Sequence, residues 1–171
     1  MFGRISLLTS ITFAIACQTP PPKSAAQAEA PPLPQVELHT LDGAPARLSS
    51  QVEGRVALVS LWATWCDACV QEIDALGRLD ERVRALGGTV VAVDEGESAG
   101  TVRAFVRERG LRYAQLIDEE LRLGDALGSK RVPTTLVVDR SGRIAYLGGA
   151  LDEAALAALR AVLSAPAVAA R

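Results

Sequence analysis

The stretch Leu61-Trp62-Ala63-Thr64-Trp65-Cys66-Asp67-Ala68-Cys69 decides how this chain is read. Before it, the apolar run Arg55 to Leu61 has the composition of a buried central strand. After it the period changes. Val70, Ile73, Leu76, Leu79, Val83 and Leu86 recur every three or four residues, which predicts a helix from Cys66 to about Leu86, closed by Gly87-Gly88. Both thiols therefore fall in the first turn of a helix that leaves a buried strand. A helix start stabilises a thiolate, the reactive form of cysteine, so the pair points to thiol–disulfide exchange.

The rest of the chain alternates in the same way. Val36 to Leu48 reads as a hairpin-like lead-in around an Asp42-Gly43 turn. Thr89–Val93, Tyr113–Ile117 and Thr134–Val138 are predicted strands, with helices over Thr101–Arg109 and Glu119–Leu127 between them. The Asp139-Arg140-Ser141-Gly142 turn leads to a hairpin partner over Arg143–Leu147, and Leu151–Leu163 is an alanine-rich helix. This order predicts an α/β fold, a central mixed sheet with helices on both faces, parallel at first and ending in an antiparallel hairpin. The domain is placed at residues 36–165, with a frayed tail over 166–171.

The 171 residues are 49% hydrophobic and 22% charged, with a net charge of -2. That is ordinary globular composition. No basic block is present, which argues against nucleic acid as a partner. Arg78, Arg82 and Arg84, interleaved with Glu72, Asp80 and Glu81, read as a mixed solvated face. A zinc site needs about four ligands. His39 is the single histidine and no second cysteine pair exists, so no metal or other cofactor is expected. The chain reads as a monomer.

The N-terminus has a character of its own. After Arg4, residues Ile5 to Ala16 are apolar apart from Ser and Thr, too short to span a bilayer but suited to a signal-peptide core. Ala14-Ile15-Ala16-Cys17 resembles a bacterial lipoprotein processing box, with Ala14 where such boxes usually carry leucine. On that reading residues 1–16 are removed and Cys17 is lipidated. Ordinary secretion, with a soluble product, and an uncleaved anchor are the alternatives. Residues 17–35, rich in Pro, Ala and Gln, read as a semi-extended tether that holds the domain near a membrane surface.

With Cys17 so used, Cys66 and Cys69 remain as one pair. Their loop is too small for the bridge to restrain the unfolded chain much, so stability is a poor reason for it. Cys66 is assigned as nucleophile and Cys69 as resolving thiol. Asp67 opposes the helix field by placing like charge beside the thiolate. Trp65 reads as part of an apolar contact surface around the nucleophile; Trp62 reads as either core or site.

This region resembles the active site of thioredoxin-like proteins, above all the membrane-tethered periplasmic branch that serves cytochrome c maturation. The resemblance runs from about Val36 to Leu163 and includes Gly96-Glu97-Ser98 and Val132-Pro133-Thr134-Thr135. It implies a cis peptide bond before Pro133, opposite the cysteines, with Val132 offering its backbone to an extended substrate. The residues alone also suit a trans proline at a strand start. Ala68 replaces the proline that many relatives carry there. Ser60 stands where thioredoxins proper keep a buried acid. By position Glu97 then becomes the acid that accepts the Cys69 proton; the plain alternative is a solvated loop glutamate.

The function implied is reduction of disulfides in exported proteins, apocytochrome c being a natural client, with electrons from a membrane thiol donor. A net oxidant is the alternative direction. A thiol peroxidase would want proline at the position of Val59, and a copper-delivery module would want one more residue between the cysteines and a downstream histidine.

Overall fold

The structure is a computed structural model that describes residues 30–166. The signal segment 1–16, Cys17, most of the tether and the end of the tail lie outside the described residues. The elements are β1 (Leu38–Thr40), β2 (Pro45–Ala46), α1 (Leu48–Val52), β3 (Ala57–Trp62), α2 (Asp67–Ala85), β4 (Thr89–Glu95), α3 (Ala99–Arg109), β5 (Ala114–Asp118), α4 (Arg122–Leu127), β6 (Thr134–Val138), β7 (Ile144–Gly148) and α5 (Glu153–Ser164).

One seven-stranded sheet runs in the order β2-β1-β5-β4-β3-β6-β7. β3 pairs parallel with β4, and β4 with β5. β6 returns antiparallel beside β3, and β7 beside β6. Strand β3 lies in the middle and every residue of it is buried, as its unbroken apolar run requires. Alternate side chains go to opposite faces. Leu58, Val90 and Ala92 meet Ile73, Leu76, Val102 and Leu159 of α2, α3 and α5 on one face. Ala57, Val59, Leu61, Val91 and Val93 meet Leu48, Val52 and Leu123 of α1 and α4 on the other.

Four local findings differ from the sequence reading. Helix α1 was not foreseen; five residues give too short a window for a period to register. The fourth helix starts at Arg122 rather than Glu119, because Leu121 takes a left-handed conformation (φ 58°) and the buried Asp118 carboxylate accepts the Leu123 N–H at 2.6 Å. The supposed solvated face of α2 contains a buried acid. Asp80 accepts from the Val90 N–H at 3.3 Å and pairs with Arg84 at 2.8 Å, tying α2 to β4. Finally, the last residues assigned to the tether belong to the domain. Pro32 bridges Arg143, Ile144 N–H donates to Pro31 C=O at 2.8 Å, and Leu33 is buried in the core.

The lead-in forms as expected. β1 and β2 pair antiparallel around the turn, with Gly43 at φ 80°, where a side chain would be strained. β1 then docks antiparallel on β5, His39 opposite Ile117.

Candidate active site

The parallel strands β3, β4 and β5 end together at Trp62, Glu95 and Asp118, and β6 begins beside them at Thr134. The cysteines enter at this end. Cys66 caps helix α2, and its Sγ accepts the Cys69 N–H at 3.1 Å. That amide is one of the donors a helix start leaves without an intrahelical acceptor. The donor and the helix field both favour negative charge on the Cys66 sulfur once it is freed. The two sulfurs are bonded at 2.13 Å. Cys66 is 7% exposed and Cys69 2%, so the first is the more accessible of the pair.

The tryptophans part company. Trp62 is buried and stacks at 5.3 Å on Phe105 of α3, which makes it core. Trp65 is 68% exposed beside the nucleophile. It shares a pocket of about 250 Å³ with Val132, Leu121 and Glu95. The Val132–Pro133 bond is cis, as the resemblance implied, and Val132 also packs against the cluster that holds both cysteines.

Glu97, the acid assigned by position to the Cys69 proton, holds Thr64. Its two carboxylate oxygens accept the Thr64 N–H and the Thr64 hydroxyl, each at 2.6 Å. It positions the loop that carries Trp65 and Cys66. Behind it, Asp94 accepts the Glu97 N–H at 3.1 Å. Asp94 is fully buried with its other oxygen unpaired, and burial together with the Glu97 charge pushes its carboxyl up to about 8. The acids after the second strand are thus distinct in role, and two of them, Asp94 and Glu95, lie inside strand β4 rather than in a loop.

Two further acids, Glu72 and Glu95, which the sequence placed on a solvated face and in an acidic cluster, are half-buried or buried near the cysteines. Glu72 lies three residues after Cys69, on the same side of α2. One of its oxygens accepts the Leu151 N–H at 3.1 Å, the other is buried without a partner, and burial holds its carboxyl above the usual range. The helical spacing was the available signal for it. Glu95 closes the inner side of the Trp65–Val132 pocket. Burial, with Asp118 and Asp125 nearby, pushes it up to about 8. No group of side chains suited to a metal ion occurs among the described residues.

The arrangement is a disulfide at a helix start, beside an exposed aromatic ring and a cis-proline segment. The AhpC/TSA family model matches residues 30–147. The chain belongs to the AhpC/TSA family. Within it, the relatives of this AhpC/TSA member are named for disulfide exchange. The thiol-disulfide oxidoreductase ResA of Halalkalibacterium halodurans is 30% identical over 118 residues, 68% of this chain and 66% of that protein. ResA of Bacillus subtilis is 26% identical over 95 residues, 56% of this chain and 53% of that one. The chain thus spans between about half and two thirds of the length of these curated relatives. Among solved structures, a thioredoxin-family thiol:disulfide interchange protein of Chlorobium tepidum superposes with a TM-score of 0.67 at 25% identity, covering 81% of this chain and all of that one. A secreted thiol-disulfide isomerase of Corynebacterium glutamicum gives 0.67 at 26% identity, covering 78% and 86%. The fold of this AhpC/TSA protein is thioredoxin-like.

Proposed function

We propose that this protein is a thiol–disulfide oxidoreductase that reduces disulfides in exported proteins. The observation that carries the reading is Cys66 capping α2 with its sulfur on the Cys69 amide, next to Val132–Pro133. In the reduced enzyme the Cys66 thiolate attacks a client disulfide. One new S–S bond forms, and one client sulfur leaves as a thiolate. Cys69, deprotonated, then attacks the Cys66 sulfur and releases the second client thiol. The client gains two electrons and two protons, and the enzyme is left with the Cys66–Cys69 bond. A membrane dithiol donor restores it. Trp65 supplies the contact surface, and Val132 offers its main chain to an extended client strand. Apocytochrome c, with two closely spaced cysteines, is the client class the sequence resemblance favours.

The proposed location is outside the cytoplasmic membrane, with the mature chain starting at a lipidated Cys17. No helix among the described residues is long and apolar enough to cross a membrane. The intact mass of membrane-extracted protein tests this; a product cut elsewhere and without acyl mass would refute it. The reduction potential of Cys66–Cys69 tests the direction of flow. A value below about −220 mV supports a reductant, and one above about −150 mV makes the protein an oxidant. Cys69→Ser should trap the client as a mixed disulfide on Cys66.

A further inference from the structure

The pocket beside the redox pair contains a group that the exchange reaction does not use. Trp65 belongs to the wall next to the nucleophile, Val132 to the wall next to the client's main-chain site, and Leu121 closes the third side. At its inner end lies the Glu95 carboxyl, 6% exposed. One oxygen of Glu95 takes the Gly124 N–H, and a Cβ on Gly124 would come within 2.7 Å of it. The other oxygen, Oε1, is buried with no partner. A buried polar atom without a partner is unfavourable, so this carboxyl is left short of hydrogen bonds until a donor enters.

We propose that Glu95 determines client specificity: the pocket takes a cationic side chain next to the client cysteine that Cys66 attacks, and its N–H groups bond to the Glu95 carboxylate. The proposal rests on the oxidoreductase reading above and names what that site selects. Three observations support a cation. The walls are apolar and one is an indole, a surface suited to the stem and the guanidinium plane of arginine. Asp118 of β5, buried opposite Glu95 in register, and Asp125 of α4 add negative field to that of Glu95. Lys130 and Arg131, which bring the opposing charge from the loop before β6, are exposed, where water and salt screen them. Asp94, adjacent on β4, is the remaining acid that interacts with Glu95.

The raised carboxyl of Glu95 gives the proposal a signature. A cation entering the pocket displaces a proton, so preference for it should grow as pH rises toward 8. Two synthetic disulfide peptides separate the possibilities, identical except for arginine or its neutral isostere citrulline beside the first cysteine. The parent enzyme should prefer arginine in kcat/KM by about tenfold at pH 8 and by much less at pH 6. In Glu95→Gln the arginine-to-citrulline ratio should fall to near one at both pH values. Equal turnover of the two peptides by the parent overturns the proposal without recourse to any variant, and so does a Glu95→Gln enzyme that keeps the preference. Hydroxyethyl disulfide, which has no side chain to reach the pocket, serves as the reference substrate. If the parent reduces it but ignores the arginine, only the role of Glu95 falls; if the parent reduces none of the three, the oxidoreductase reading falls with it.

Discussion

Glu97 grips Thr64 through both the backbone N–H and the hydroxyl, at 2.6 Å each, across 33 residues of sequence. This pair of hydrogen bonds to a carboxylate joins the segment just after strand β4 to the loop that presents Trp65 and Cys66. It makes the acid a fastener of the active-site loop, with its charge already engaged.

Removing that fastener should loosen the loop. Glu97→Ala leaves the Thr64 amide without its acceptor, and hydrogen bonds to charged groups are worth about 1.5–3 kcal/mol. Chemical denaturation of the oxidised protein should show a loss of that order. In a double-mutant cycle with Thr64→Val the losses should be non-additive by more than about 0.5 kcal/mol. Strict additivity would mean that the two side chains act independently.

Asp94 and Glu95 give stability an unusual slope. Both are pushed up to about 8, against ordinary values of 3.8 and 4.5. The folded protein therefore holds protons that the unfolded chain releases above about pH 5. This contribution is fully present below the unfolded values and is lost as pH rises to about 8. Stability should fall over that window by at most about 1.4 kcal/mol per pH unit for each group. Asp94→Asn should flatten part of the slope. Stability that rises steadily from pH 5 to 8 in the parent would contradict these protonation states.

Glu72 lies one helical turn beyond Cys69 on α2 with one carboxylate oxygen unpartnered, which leads to the prediction that it takes the Cys69 proton. As a base it works only when ionised, so resolution of the mixed disulfide should slow as pH falls through its raised titration range. Glu72→Gln should lose that acidic limb and slow resolution by about a hundredfold, the range of a general base. Single-turnover kinetics with a pre-formed mixed disulfide on Cys66 measure it. An unchanged limb would leave Glu72 as an anchor for the Leu151 amide alone.

Leu33→Ala tests whether the segment before β1 belongs to the domain. Leu33 is buried beside Val52, Val138 and Ile144. Truncating a buried leucine costs about 2–5 kcal/mol. A change below about 0.5 kcal/mol in the denaturation midpoint would return this residue to the tether.

The long elements were legible because their periods were long. Strand β3 and helix α2 carry enough apolar repeats to locate the cysteines at their junction before any coordinates. The acids were legible only in part. The distinction between Asp94, Glu95 and Glu97 depends on a strand that runs two residues past its last valine, into a sheet where charged residues are rarely placed. Glu72 and Asp80 look like solvent-facing residues until the Leu151 amide, in the loop before α5, and the Val90 amide of β4 bond to them. The stretch before Val36 misled for the opposite reason: prolines argue against a strand, yet a single bridge at a sheet edge needs only a few free donors and acceptors. The Pro31 C=O and the Leu33 N–H, on either side of Pro32, supply what that edge requires.

That edge pairing also sets a direction. Ile144, where the segment docks, lies level with Val138 and hence with Ala57, the first residue of β3, while Cys66 follows the last. The last described contact of the segment therefore lies at the pole opposite the redox pair, roughly 20 Å away along the strands. The bridge is antiparallel, however, so traced from Leu33 back to Ala30 the chain runs beside β7 toward the redox end. The 12 residues between Cys17 and Ala30 would give a leash of at most about 45 Å. A lipid on Cys17 would then leave the redox face within reach of the membrane surface, where a membrane donor could meet it directly.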